Sequence, residues 1–342
     1  MVAETCPNPT SNFPSGRLPR AIFLDSGGVI NDNSRRAPQW VQFMEQYMPK
    51  TILGGPGHMW GRSNAILSER LFNSTERPNG WEQLMVESKD FVDFDRRYYQ
   101  YWIHNSVALM NQFLKEEYEQ EIKESKVEKN NGEERIEPKL VQLVLPEAEE
   151  EQYKVARDAH LHCTSLVRAD YPGAVEAILK LKFEQGFEMY TSSGETSQEL
   201  ELTFRTLGIT ILADTTTSTT TSDKPGLHAV FKTLYGPDLI GCQKSSSLYY
   251  ERVFQDSGVD PRDAVVVDDK ENILGWAKVH GARTVMISNK DRAGKELKVE
   301  VEEKNEEGVV VRKGEVLAVD YQLGSLAELP ALMALWKSTK RG

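Results

Sequence analysis

Hydrophobic residues along the chain fall into two rhythms. Ala21-Ile22-Phe23-Leu24 and Ala264-Val265-Val266-Val267 are short continuous apolar runs, and Phe187-Glu188-Met189-Tyr190 and Arg283-Thr284-Val285-Met286-Ile287 are short stretches broken by polar residues. Runs of four to five residues bounded by turn formers predict buried strands of a parallel sheet. Between them the spacing is helical, over Ala174–Phe183, Glu199–Leu207, Tyr249–Ser257, Ile273–His280 and Ser325–Trp336. Alternating strand and helix predicts an α/β fold, a parallel sheet with helices on both faces.

The segment from about 35 to 165 breaks this alternation. Trp40, Phe43, Met44 and Tyr47 stand at i, i+3, i+4 and i+7 and mark one helix face. Phe91 to Phe113 predicts a second helix carrying Phe94, Tyr98, Tyr101, Trp102 and Leu109. Four of the six tryptophans lie in this region, which predicts an inserted helical domain with an aromatic interior. Lys115 to Glu151 is dominated by Glu and Lys and predicts a solvated helix or a loop. Leu297 to Val311 alternates across Asn305-Glu306-Glu307-Gly308, a hairpin at the sheet edge, and Thr215–Ser222 reads as a strand end and loop. The expected organisation is a tail over 1–19, a core formed by 20–34 and 166–342, and an insertion over 35–165 with its acidic segment at 115–151.

Charge narrows the function. The net charge is −11, and a nucleic-acid partner would call for a basic face. An acidic chain acting on a phosphoester needs a local positive focus, most simply a bound cation. The polar, Pro- and Ser-rich start lacks the charged and apolar regions of a signal peptide, and no run approaches the ~18 apolar residues of a membrane span. These features predict a soluble, cytoplasmic protein. Cys6, Cys163 and Cys242 show no metal spacing and predict free thiols.

Chemistry enters at the strand ends, where open α/β sheets bind ligands. One predicted strand ends at Asp25, one at Asp268-Asp269 and one at Ser193-Gly194. Carboxylates converging on one edge call for a shared hard cation, and few oxygen ligands favour Mg²⁺. This arrangement resembles the haloacid dehalogenase (HAD) superfamily. Phe23-Leu24-Asp25-Ser26-Gly27-Gly28-Val29-Ile30 is similar to its first motif, in a variant with Gly-Gly after the nucleophile. Gly186 to Gly194 resembles the second motif, with Ser193 in the hydroxyl position. Lys244 through Tyr250-Glu251 resembles the third, and Val267-Asp268-Asp269 with Asn272 the fourth.

The resemblance implies a HAD-like Rossmannoid core with a C1-type helical cap inserted after the first motif. It implies Asp25 as nucleophile, Ser193 as hydrogen-bond donor to the phosphoryl group and Lys244 as its counter-charge. Ser26, Gly27, Thr191 and Gly194 would line the substrate, and Asp25, Asp268, Asp269 and the Gly27 carbonyl would hold Mg²⁺. The substrate would be a small phosphate or diphosphate ester. Lys224 competes with Lys244 for its role, at a spacing to Asp269 that fits less well. The family's usual acid–base Asp, two residues after the nucleophile, is Gly27 here, and Asp32 and His104 are the candidate substitutes.

Two other functions stay open. Some fungal terpene cyclases look like members of the same superfamily, and the aromatics Trp40, Trp60, Trp81, Tyr98, Tyr99 and Trp102 would suit a prenyl diphosphate. Leu212-Ala213-Asp214-Thr215-Thr216 lacks the first Asp of their acid motif. A catalytically silent ligand-binding protein is the third reading, motivated by Gly27.

Overall fold

A computed structural model describes residues 18–73, 80–128, 139–211, 228–289, 298–304 and 310–338. Strand β1 (Ala21–Leu24) stands at the centre of a seven-stranded sheet. Its neighbours are β2 (Glu188–Ser192) on one side and β5 (Ala264–Asp268) on the other, both parallel to it. Beyond β2 lie β4 (His228–Tyr235) and then β3 (Ile209–Ile211); beyond β5 lie β6 (Arg283–Ile287) and β9 (Tyr321–Leu323). Every pairing in this sheet is parallel, as the continuous apolar runs predict.

Side-chain alternation divides the core into two layers. Ile22, Leu24, Val265 and Val267 point to one face and pack with α6 (Ala174–Leu179), α7 (Ser197–Thr206) and α11 (Leu329–Ser338). Ala21, Phe23, Ala264 and Val266 point to the other and pack with α9 (Ser247–Ser257) and α10 (Glu271–Val279). The period of two along each strand thus covers both faces of the sheet with helices. The predicted hairpin forms from β7 (Lys298–Lys304) and β8 (Val310–Leu317), but as a separate antiparallel pair lying by α10. It does not extend the main sheet, whose edge on that side is β9. The Thr/Ser tract 215–222 and Lys224 lie outside the described residues.

Between β1 and α6 the chain builds α1 (Asn33–Tyr47), α2 (Gly57–Ser68), α3 (Gly80–Glu87), α4 (Phe91–Glu128) and α5 (Glu149–Thr164). Helix α4 continues well past Phe113 into the charged run, where Gln112–Glu116 and Gln120–Glu124 hydrogen bonds at 2.9 and 2.6 Å span one turn each. Three glutamates, Glu149 to Glu151, open α5 where the helix dipole favours negative charge. The segments entering and leaving this insertion are zipped together. Tyr171 N donates to Ile30 O, Asp32 N to Ala169 O, and Gln39 exchanges two hydrogen bonds with the Arg168 backbone.

The insertion has its own apolar core, made by Met44, Met48, Trp60, Trp102, Ile103, Met110 and their neighbours. At its centre His160 is 5% exposed, and its ring meets those of Trp40, Tyr98, Tyr99 and Trp102 at centroid distances of 4.7–5.6 Å. Its Nε2 has no hydrogen-bond partner. Burial pushes the imidazole down from 6.5 to about 3, so it folds neutral and is protonated in the unfolded chain at moderately acidic pH. A folded-state pKa below the unfolded one gives stability that is complete above about 6.5 and lost as pH falls toward 3. The loss approaches about 1.4 kcal/mol per pH unit. Denaturant unfolding at a series of pH values should show this slope, and His160→Phe should flatten it; equal slopes in both proteins would assign the acid sensitivity to other groups.

Candidate active site

Strands β2, β1 and β5 are neighbours, so their carboxyl ends bring Ser193, Asp25 and Asp268-Asp269 to one edge of the sheet. Carboxylate oxygens of Asp25, Asp268 and Asp269 lie within 4.8 Å of one another. Lys244, from the segment between α8 (Pro237–Ile240) and α9, completes the cluster. Its Nζ donates to Asp25 Oδ1 at 3.0 Å, to Asp268 Oδ2 at 2.5 Å and to the Ser192 carbonyl. The ammonium side chain is 6% exposed, against 11% for Asp25 and 1% for Asp268. All three are withdrawn from water, where an unpaired charge would be costly.

Electrostatics follow from that burial. Desolvation raises the Asp25 carboxyl from 3.8 to about 6, with Lys244 pulling it down and Asp268 pushing it up. Burial likewise raises Asp268 and Asp269, the latter with a contribution from Asp25. Burial lowers Lys244, but Asp25 and Asp268 outweigh it and hold the ammonium well above its ordinary value. The lysine therefore stays charged while its carboxylate partners resist ionisation. This is the electrostatic state a divalent cation would relieve.

The donor set fits such a cation. Asp268 is already engaged at both oxygens, Oδ2 by Lys244 and Oδ1 by the Lys270 amide at 2.9 Å. Asp269 Oδ1, in contrast, is buried with no hydrogen-bond partner. Gly28 keeps the approach to Asp269 open. It adopts φ +85°, and a Cβ there would run into the Asp269 carboxylate. Gly28→Ala should therefore cost about 1–2 kcal/mol from the left-handed backbone alone and displace Asp269. Weakened Mg²⁺ binding by calorimetry, alongside the lower stability, checks this; unchanged binding would refute the steric role.

The remaining expected residues separate into two groups. Ser193 is 1% exposed, its Oγ accepting from Glu195 N at 3.3 Å and its carbonyl accepting from Tyr249 Oη at 3.1 Å. Ser26 is buried, with Asn31 Nδ2 donating to its Oγ at 3.2 Å, and Gly194 is exposed at the open edge with free space around it. Gly27 stands two residues after Asp25, and the nearest atoms a Cβ there would meet belong to the Asn33 side chain, from 3.2 Å.

Thr191, expected to line the substrate, is instead fully buried inside β2, its hydroxyl donating to Tyr235 O at 3.3 Å. The expected substitute acids are placed elsewhere too. Asp32 caps α1, its Oδ1 accepting from Ser34 N and Oγ at 2.9 and 2.6 Å, and these bonds hold its carboxyl below its ordinary value. His104 Nε2 pairs with Gln152 Oε1 at 2.8 Å, joining α4 to α5. Cys163 is buried and Cys242 partly so, both free.

The aromatics that suggested a prenyl pocket pack on one another. Trp60 is 1% exposed, with Nε1 donating to Gly54 O at 2.7 Å, and Trp81 meets Phe94 and Tyr98 edge-on at 4.7 and 5.3 Å. Asp214-Thr215-Thr216 lies outside the described residues.

Two side chains at this edge escape sequence reading. Arg36 of α1 reaches back from the insertion and pairs with Glu195, just beyond β2, at 2.6 Å. Burial disfavours both charges, yet mutual attraction raises the Arg36 pKa and lowers that of Glu195, helped by the Ser26 hydroxyl. Arg36 also lies within electrostatic reach of Asp25 and Glu199. The only sequence signal was a pair of arginines one helical turn after Asp32 in an acidic chain.

No protein-family model matches the chain, and no curated protein matches it in sequence. Solved structures do resemble it. The HAD-hydrolase YfnB of Bacillus subtilis, bound to magnesium, shares 12% identity over 93% of this chain and 100% of its own, with a TM-score of 0.50. The L-2-haloacid dehalogenase of Xanthobacter autotrophicus shares 14% over 93% and 99%, TM-score 0.45. CbbY of Rhodobacter sphaeroides, in complex with phosphate, shares 15% over 91% and 96%, TM-score 0.43. The likeness to YfnB shows the fold alone, a HAD-like Rossmannoid sheet. Among the described residues no helix is long and apolar enough to cross a membrane.

Proposed function

We propose that the chain is a Mg²⁺-dependent phosphohydrolase of the HAD type that acts on a small organic phosphate through Asp25. One observation carries the reading: a buried lysine is lodged between two strand-end carboxylates, with a third carboxylate beside them holding an oxygen free of hydrogen bonds. The sheet shared with a magnesium-bound HAD-hydrolase supports it.

In this reading Asp25, Asp269, Asp268 and the Gly27 carbonyl would hold Mg²⁺, which supplies charge neutralisation for a phosphoryl oxygen. Asp25 attacks phosphorus through one carboxylate oxygen, the bond to the leaving oxygen breaks, and an aspartyl-phosphate forms. Ser193 donates its hydroxyl to the phosphoryl group, and Lys244 offsets the charge building on it. Ser26, Gly27 and Gly194 line the approach. Asp268 holds Lys244 in place. Residues 35–165 act as a cap over this edge, excluding water during transfer. Residues 20–34 and 166–342 form the core that carries the motifs.

The test is phosphate release from a panel of sugar phosphates, nucleotides and prenyl diphosphates, with Mg²⁺ and with a chelator. Release that stops on chelation is the expected result. Silence across the panel, with no Mg²⁺ bound by calorimetry, would sink the reading.

A further inference from the structure

A phosphoryl-transfer site of this kind must manage two protons. One goes to the leaving group as it departs; the other comes off the water that later attacks the phosphorus. The groups around Asp25 are not equally free to handle them. Lys244 is clasped by Asp25, Asp268 and the Ser192 carbonyl and keeps its proton. Tyr249 Oη is shared between the Ser193 and Tyr235 carbonyls, at 3.1 Å each. Asp32 is spent on capping α1 and His104 on Gln152. Glu199 Oε2 takes both Thr196 N and Thr196 Oγ1 at 2.8 Å, starting α7. Position 27 itself carries no side chain.

That leaves Glu195. Its Oε1 is bound to Arg36 Nη1 at 2.6 Å, and its Oε2 is buried without a full hydrogen bond, beside the Ser26 hydroxyl. Such a carboxylate is charged before substrate arrives. It can accept a proton but has none to give.

We propose, resting on the phosphohydrolase reading, that this site takes phosphoryl donors whose leaving group departs as a stable anion, phosphoanhydrides or acyl phosphates. Glu195, ion-paired to Arg36, serves as the proton acceptor of the second half of the cycle. In the first half the Asp25–phosphorus bond forms and the phosphorus–leaving oxygen bond breaks, the electron pair leaving with a group that needs no proton. In the second half a water oxygen attacks phosphorus and its proton passes to Glu195. The Asp25–phosphorus bond breaks, Asp25 regains its carboxylate, and Glu195 returns the proton to solvent.

The experiment measures kcat/KM with Mg²⁺ for acetyl phosphate, an alkyl diphosphate, aryl phosphates of graded leaving-group acidity and an alkyl monophosphate. The expected result is a steep series, falling on the order of 10²–10⁴-fold from the most acidic leaving group to the alkyl ester, the worth of a missing general acid. Diphosphate and acetyl phosphate each report separately which of the two donors is preferred. Gly27→Asp, whose Cβ comes nearest to the Asn33 side chain, should flatten the series by raising the poor substrates. Glu195→Gln should release the leaving group in one burst and accumulate phosphorylated Asp25, with Glu195→Asp partly restoring turnover.

A flat series in the parent, or a Glu195→Gln variant that slows leaving-group release without accumulating phosphoenzyme, would overturn the proposal while leaving the phosphohydrolase reading intact. No turnover of any member, with Asp25 never phosphorylated, would remove both.

Discussion

Asp25→Asn is expected to abolish turnover while leaving the fold at least as stable as before. The substituted amide keeps the shape of the side chain but cannot form the acyl phosphate, and loss of a nucleophile costs on the order of 10⁴–10⁶ in rate. Stability should not follow activity downward. Asp25 is a buried carboxylate whose pKa is raised to about 6, chiefly by desolvation, and which in turn raises its neighbour Asp269. Removing that charge relieves both, and Lys244 keeps Asp268 and the Ser192 carbonyl as partners. A group arranged for chemistry and not for stability behaves in this way. Phosphate release and thermal unfolding without Mg²⁺ check the two halves. Activity within about a hundredfold of the parent would disqualify Asp25 as nucleophile.

Lys244→Met is expected to fail in the opposite sense, losing stability as well as activity. The methionine fills the channel but leaves Asp25 and Asp268 buried with no counter-charge, a change worth about 3–5 kcal/mol when one partner of a buried pair is removed. Both carboxyls are already raised by burial and held down by Lys244, so without it their folded-state pKa values climb further. A carboxyl with a folded pKa above its unfolded one favours the fold where it is protonated. The variant's deficit should therefore shrink as pH falls below the raised folded pKa values and level off above them. Added Mg²⁺ should also recover part of it at neutral pH. Denaturant melts at pH 5 and pH 8, with and without the cation, separate these contributions. A deficit indifferent to both would mean that Lys244 acts through packing alone.

Legibility of the fold in the sequence tracked the length and purity of each apolar run. Ala21–Leu24 and Ala264–Val267 are unbroken because both their faces are buried, and they reveal β1 and β5 directly. The strand β4 was not visible, since His228, Lys232 and Thr233 interrupt its run, and β3 and β9 are three residues each. Helix α4 outran its apolar face because its last turns are held by side-chain pairs such as Lys115–Glu119 at 3.8 Å, which hydrophobic spacing does not register.

For the site, Asp25, Ser193, Asp268 and Asp269 were legible because each sits immediately at a strand end. Lys244 rested on resemblance alone. Thr191, which came from the resemblance, lies one residue before the end of β2 at Ser192 and is interior, not edge. Arg36 and Glu195 could not be paired from sequence, because their contact joins the insertion to the sheet.

The zipped crossing at the base of the insertion has a consequence for how this chain is assembled. Asn31 and Asp170 form a bridge, so the chain leaves the core and comes back at one point. Everything between them, α1 to α5, occupies the place of a single turn. The parallel sheet closes on residues before and after that turn. The five helices therefore enter and leave through one crossing, and contacts such as Arg36–Glu195 and Arg157–Gln198 tie them to the core beyond it.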